Sequence, residues 1–254
     1  LLQDQSVKGI VVNFRNITER VLLERQKDDF VSIATHELKT PVTSIKAYAQ
    51  ILLKRLNKEG NTAAATMITK MDGQLNKLVS LIGDLLDVTK IESGRLQMHE
   101  DFYSFNDLTR EITEELQRTT DDHQVILRLD NDIEIYGDRE RVGQVLTNLI
   151  TNAIKYSPSS KDIFVTTYSH RESVTVHVKD SGIGISKENQ QNVFERFYRV
   201  SGPENQSFPG LGLGLFISKE IINRQGGKIW VESVKDQGST FCLSLSIDYR
   251  KPLA

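Results

Sequence analysis

Residues 30–56, FVSIATHELKTPVTSIKAYAQILLKRL, carry His36, Glu37 and Pro41 inside a helical pattern. Val31, Thr35, Leu38, Val42, Ile45, Ala49, Leu52 and Leu56 recur at alternating steps of four and three, the a/d seam of a helix packed on other helices. With Thr35 at a and Leu38 at d, His36 falls at b and is expected to point into water. An imidazole placed there can be a solvated bystander, but its neighbours argue for more. Pro41 has no N–H and its ring presses on the Glu37 carbonyl, so a kink is expected beside His36, at a cost of about 3 kcal/mol in an ordinary helix. A neutral imidazole is a nucleophile when one nitrogen keeps its lone pair and the proton on the other is held. Glu37 is placed to hold that proton and absorb positive charge as a bond forms, although it also reads as a solvated helical acid.

Three further groups suit an anionic ligand. In DRERVGQVLTNLITNAIKYS (138–157), Val142, Val145, Leu146, Leu149 and Ala153 share one helical face, and Asn148, Asn152 and Lys155 follow on another. Amide oxygens suit a hard cation such as Mg²⁺ and an ammonium suits phosphate, while a polar solvent face would show the same spacing. In VHVKDSGIGIS (176–186), Gly182 and Gly184 let the backbone approach a planar ligand. Asp180 can accept a hydrogen bond from an amino group such as adenine's, though a D-x-G-x-G turn alone is a common loop. In PGLGLGLFISKEIINRQGG (209–227), Gly210, Gly212 and Gly214 open a helix whose unpaired N–H groups and dipole favour phosphates. Neither a βαβ crossover nor a Gly-Lys-Ser/Thr accompanies them, so this is neither the dinucleotide fingerprint nor a P-loop. The polar segment between the glycine groups, 188–210, reads as a mobile lid, with Phe194 and Phe197 expected to anchor its base and Arg199 to reach the phosphates.

The elements that must position these residues fall into two units. Residues 7–14 read as a short strand running into a helix, and the pattern then stays helical to about residue 93. A polar turn, KEGNT (58–62), separates the first seam from a second: Ile68, Met71, Leu75, Leu78, Ile82 and Leu85, widened by Val79, Leu81 and Leu86. Two helices so joined make an antiparallel hairpin with apolar surface left over. Either a second copy closes it as a homodimeric four-helix bundle, which is the expectation, or the following domain covers it. Beyond SGR (93–95) the pattern changes to a helix over 106–121, strands over 125–129 and 133–137, a helix capped by Asp138, and two strand hairpins. That mixture predicts an α+β two-layer sandwich after the all-α hairpin. The expected division is 1–20 as the end of an upstream domain and its exit, 21–95 as the hairpin, 96–104 as a linker and 105–250 as the sandwich.

Composition narrows the function classes. Formal net charge is −2, from 32 basic and 34 acidic residues, which suggests neither a nucleic-acid partner nor an anionic membrane surface. The single cysteine, Cys242, can form no internal disulfide, which fits a reducing, cytoplasmic setting. No apolar run approaches the roughly 18 residues of a membrane span. The chain begins LLQDQ without a methionine, so it is expected to be a piece of a longer protein, and any membrane contact would be made upstream.

SIATHELKTPVTSI resembles the phospho-acceptor box of the sensor histidine kinases of two-component systems. The asparagine stripe, the D-x-G-x-G turn, the VFERFYR segment and the glycine repeat, in that order, resemble the boxes of the GHKL ATPase superfamily in its histidine-kinase branch, with the Bergerat ATP-binding fold. The resemblance covers about residues 25–248 and implies a homodimeric autokinase that moves the γ-phosphoryl of ATP to His36 and then to an aspartate in the receiver domain of a response regulator. It implies Glu37, Lys39 and Thr40 as partners of His36, with Thr40 serving phosphatase activity. It implies Asn152 as the principal Mg²⁺ ligand with Asn148 assisting, Lys155 and Tyr156 on the nucleotide, and Asp180, Gly182 and Gly184 at the adenine. Arg199 and the loop Gly210, Leu211, Gly212, Leu213 and Gly214 would meet the phosphates. Leu211 departs from the usual small polar residue. VKGIVVNFRNITERVLLERQ (7–26) resembles the last strand and helical exit of a PAS sensor domain. Two rivals remain: an ATPase or conformational clamp, which needs no intact His36–Glu37 pair, and a dimerising scaffold, which would show broken nucleotide boxes.

Overall fold

The computed structural model describes residues 18–158, 162–200 and 210–247, with side chains described from Ile33 onward except that of His36. The strand read at 7–14, the start of the helical exit before Thr18, and the outward direction expected of the His36 ring lie outside the described part. Helix α1 (Thr18–Lys58) and helix α2 (Thr62–Glu92) form the hairpin. Asn61 ends the turn by capping α2, its side-chain oxygen accepting from the Ala64 N–H at 3.2 Å. Pro41 lies within an unbroken helical run. Thr43 and Ser44 hydroxyls on the same stretch donate back to the Lys39 and Thr40 carbonyls at 2.8 and 3.1 Å, each a second bond to a carbonyl one turn earlier in the helix.

The hairpin leaves part of its apolar seam exposed. Thr35, Val42 and Ala49, the a positions, are buried, whereas Leu38, Ile45 and Leu52 on α1 and Met71, Leu78 and Leu85 on α2 are exposed. Each exposed row repeats at heptad spacing, so these are seam positions with nothing packed on them in the single chain. The sandwich does not cover them.

The second unit runs β1 (Asp101–Ser104), α3 (Phe105–Gln117), β2 (Gln124–Arg128), β3 (Glu134–Gly137), α4 (Arg139–Tyr156), β4 (Asp162–Ser169), β5 (Ser173–Lys179), α5 (Lys187–Gln190), α6 (Gly214–Arg224), β6 (Lys228–Val234) and β7 (Gly238–Ser246). Five strands form one sheet in the order β2-β4-β5-β7-β6. β2 pairs parallel with β4 and the other pairs are antiparallel. Alternation fixes the buried face: Ile163 and Val165 of β4 and Val174, Val176 and Val178 of β5 are buried together with Leu146 and Leu149 of α4 and Ile221 and Ile222 of α6. The stretch expected to be linker is shorter than read. Its residues Asp101–Ser104 pair antiparallel with β3, Phe102 opposite Tyr136, and Leu96 is buried in the sandwich core. Four residues are too few for alternation to show, and the partner strand lies far along the chain.

The end of α2 is built into the sandwich. Val88 and Ile91 are 3% and 8% exposed and belong to the same core cluster as α4 and α6. Arg141 Nη1 donates to both Asp87 carboxylate oxygens at 3.0 and 2.9 Å, and Gln144 Nε2 donates to Asp87 Oδ2 at 2.8 Å. One turn earlier, burial first and the Asp87 charge second push the Asp84 carboxyl up from 3.8 to about 6. The folded protein therefore holds this proton more tightly than the unfolded chain does. The resulting stability is complete below pH 3.8 and is lost as pH rises to about 6. Asp84→Asn, which cannot ionise, is expected to add about 1–3 kcal/mol to the unfolding free energy above pH 6 and almost nothing near pH 4. Urea titrations at the two pH values check this, and an equal effect at both would contradict it.

Candidate active site

The asparagine stripe of α4 meets the glycine-opened start of α6. Asn148 Nδ2 donates to Ser218 Oγ of α6 at 2.9 Å, and Asn152 Nδ2 donates to Asn148 Oδ1 at 3.3 Å. A Cβ on Gly214 would stand 2.5 Å from Asn148 Oδ1, so only glycine lets the helix start come this close. At the other end of α4, Lys155 Nζ lies 4.7 Å from the centre of the Tyr156 ring and 3.7 Å from where a Gly210 Cβ would be. The D-x-G-x-G turn abuts the same end: Ile183 N–H donates to the Tyr156 carbonyl at 3.2 Å, and a Cβ on Gly182 would stand 2.0 Å from that oxygen. Two sets of contacts thus lie along α4, one joining Asn152, Asn148 and Gly214 and the other Gly210, Lys155, Tyr156 and Gly182.

Asp180 directly follows β5 and is 4% exposed. Its Oδ1 accepts from the Gly182 and Ser239 N–H groups at 2.8 and 3.2 Å. Burial raises its pKa and the two N–H donors pull it back. Both of these bonds fall on Oδ1, which leaves Oδ2 as the atom suited to an amino group of a ligand. Gly184, in the left-handed region at φ 61°, completes the turn against β6.

One expectation needs correcting. Phe194 does anchor the lid base, buried with its ring edge-on to Phe241 at 6.4 Å. Phe197 does not: it is 55% exposed, with its backbone in the left-handed region at φ 61°, which turns the ring out of the core. Leu213 is 1% exposed, so its side chain belongs to the core and only its backbone can face a phosphate. Leu211 is exposed beside it. Arg199 is exposed, with its Cγ 3.2 Å from the position of a Gly212 Cβ. On the hairpin, Glu37, Lys39 and Thr40 are exposed in the turns around His36.

The residues fit the groups expected of them. Among the described residues no cluster of three histidine, cysteine or acidic side chains could hold a metal. The donors on α4 are amide oxygens, a set that suits Mg²⁺ when phosphate oxygens supply the remaining ligands. A cavity of about 670 Å³ lined by Lys90, Arg95, His99 and Arg141 lies instead between the end of α2 and the start of α4 and holds none of these residues.

Two family models match in tandem: the His Kinase A (phospho-acceptor) domain over residues 26–94, and the histidine kinase-, DNA gyrase B- and HSP90-like ATPase over 137–249. The catalytic domain of the histidine kinase ThkA is 30% identical, with a TM-score of 0.53, over 59% of this chain and 99% of that one. The chain belongs to the histidine kinase family. Sensor histidine kinase WalK of Bacillus subtilis (strain 168) is 30% identical over 243 residues, 94% of this chain but 40% of the relative, so this histidine kinase spans about two fifths of that protein's length. Full-length ShkA, solved in complex with AMPPNP, shares the fold at a TM-score of 0.67 and 20% identity, over 85% of this chain and 45% of that one.

Sequence reasoning missed the residues that hold this histidine kinase's two units and its cleft together. Ser218 is one turn into α6 and gave no motif signal, yet it is what Asn148 bonds. Arg141, Gln144 and Asp87 belong to no motif. Their pairing joins positions more than fifty apart in sequence. Only the i, i+3 spacing of Arg141 and Gln144 hinted at a shared partner.

Proposed function

We propose that this chain is the kinase core of a two-component sensor, with residues 21–95 as its dimerising phospho-acceptor hairpin and the following sandwich as its ATP-binding unit. The observation that carries the reading is the seam where the α4 asparagines meet the glycine-opened start of α6, beside a buried carboxylate at the D-x-G-x-G turn. Asp180 Oδ2 takes the exocyclic amino group of adenine, and the Gly182–Gly184 turn lies along the base. Lys155, Arg199 and the backbone of 210–214 hold the phosphates, with the α6 N-terminus adding its positive end. Mg²⁺, when bound, neutralises charge on the phosphates, and the Asn152 amide oxygen would hold it while Asn148 fixes the Asn152 side chain.

The reaction needs a nucleophile and positioning. One nitrogen of the neutral His36 ring attacks the γ-phosphorus in line with the β–γ bridging oxygen. The N–P bond forms as that P–O bond breaks, and ADP leaves with the electron pair. The other ring nitrogen passes its proton to the Glu37 carboxylate, which also orients the ring. A receiver-domain aspartate oxygen then attacks the same phosphorus, and His36 departs and takes back a proton. His36 and the nucleotide belong to different units, so the docking contacts at the end of α2 must rearrange for transfer. The uncovered heptad rows, Leu38, Ile45 and Leu52 with Met71, Leu78 and Leu85, support closure by a second copy as a four-helix bundle. No helix among the described residues is long and apolar enough to cross a membrane. The need for ATP places the site in the cytoplasm.

Incubation with γ-labelled ATP and a receiver domain tests the reading: label should appear on the chain and then chase to the receiver. Labelled inorganic phosphate with no protein-bound label would instead favour an ATPase. Thr40 lies one helical turn beyond His36, where its hydroxyl can orient a water toward a phosphorylated receiver. Thr40→Ala is therefore expected to slow receiver dephosphorylation about tenfold and autophosphorylation less than about twofold. Equal losses in the two assays would contradict that division.

A further inference from the structure

The last residue of α2 is tied to the loop that meets the phosphates. Glu92 pairs with Arg196, and the Arg196 guanidinium lies over the Phe197 ring, 5.1 Å from its centre. Phe197 holds a left-handed backbone at φ 61°, which a bulky residue keeps only when its surroundings enforce it. Gly212 supplies part of that constraint. The Phe197 N–H donates to the Gly212 carbonyl at 3.1 Å, and a Cβ on Gly212, itself at φ 71°, would stand 2.6 Å from the Tyr198 carbonyl oxygen. Glu92, Arg196, Phe197 and Gly212 form one line of contacts from hairpin to phosphate loop. The docking of α2 does not depend on this line alone, because Asp87 with Arg141 and the buried Val88 and Ile91 hold the same helix end.

We propose that Arg196 is a positioning residue contested by Glu92 and the nucleotide phosphates, so that filling the phosphate loop loosens the sandwich from α2. The inference rests on the nucleotide reading of the cleft. Both members of the Glu92–Arg196 pair are about one third exposed, and an ion pair so placed is weak and easily exchanged. A triphosphate brings several negative charges to Gly212, whose carbonyl the residue next to Arg196 already bonds. The guanidinium gains more there than at one carboxylate. Phe197 can then leave its left-handed backbone, and the link to α2 is lost when the sandwich must move toward His36. Coupling of this kind is reciprocal: docking lowers nucleotide affinity by the factor with which nucleotide weakens docking.

The test is calorimetric titration of the whole chain with a non-hydrolysable ATP analogue and Mg²⁺. Glu92→Gln, which frees Arg196, should tighten binding about 3- to 10-fold. A merely structural contact would leave affinity unchanged or weaken it, and either result overturns the proposal. Asp87→Asn, which loosens the docking without touching Arg196, should also tighten binding, and a failure to do so counts against the coupling. In an Arg196→Gln background, Glu92→Gln should have no further effect, and a gain of the same size there overturns the role given to Arg196. Absence of binding in the unsubstituted chain would remove the nucleotide reading itself, a failure distinct from all of these.

Discussion

His36→Gln should leave the chain folded and able to bind ATP within about twofold while lowering acid-labile phosphoryl incorporation by about a thousandfold or more. Glutamine is a good helix former of similar size, so α1 is expected to persist. Its amide nitrogen has no available lone pair, so it cannot attack phosphorus. An N–P bond on histidine is cleaved by acid and survives base, which separates it from phosphoserine or phosphothreonine on the same gel. The chain has five histidines, and the other four, His99, His123, His170 and His177, all lie beyond the hairpin. His123 is engaged with the Ser157 carbonyl at 3.0 Å, and His177 is packed against Tyr168 and Trp230 with its pKa lowered by burial. Label that survives His36→Gln would therefore have to sit beyond the hairpin, and the assignment of the hairpin as acceptor would fall.

Residues with a local repeat were legible in the sequence, and residues whose role depends on distant partners were not. The heptad spacing from Thr35 to Leu56 gave α1 and the buried a positions, because a helix writes its packing face into every third and fourth residue. Alternation gave β4 and β5 for the same reason at period two. β1 escaped because four residues carry no period, and its pairing with β3 is non-local. Phe197 was misplaced because aromatic character predicts burial on average, whereas its side chain is aimed by a left-handed backbone that neighbouring Gly212 helps to enforce. Leu213 has a glycine on either side and its side chain fills the core, so any contact with a ligand is left to its backbone. The candidate residues of the site were readable from their types and order, and its bracing, Ser218 behind Asn148 and Asp87 behind Arg141, was not.

That bracing separates the two asparagines, which sequence spacing alone treats as equals. Asn148 has both ends of its amide engaged, the nitrogen on Ser218 at 2.9 Å and the oxygen by Asn152 at 3.3 Å. Asn152 spends its nitrogen on Asn148, so its oxygen is the end suited to a hard cation. Asn152→Ala should therefore weaken ATP binding about 100-fold in the presence of Mg²⁺ and only a few-fold in its absence. Asn148→Ala should act differently. It removes a part-buried hydrogen bond across the α4–α6 seam, costing about 1 kcal/mol of stability, and weakens binding both with and without the ion because the phosphate loop loses its backing. Calorimetry with and without EDTA reads the contrast directly. If Asn152→Ala lowers affinity equally in both conditions, its oxygen is not the cation's ligand, and the amide acts on the nucleotide or on the helix instead. If Asn148→Ala alone shows the Mg²⁺-dependent loss, the two roles are reversed, and the hydrogen bond between them orients Asn148 rather than Asn152.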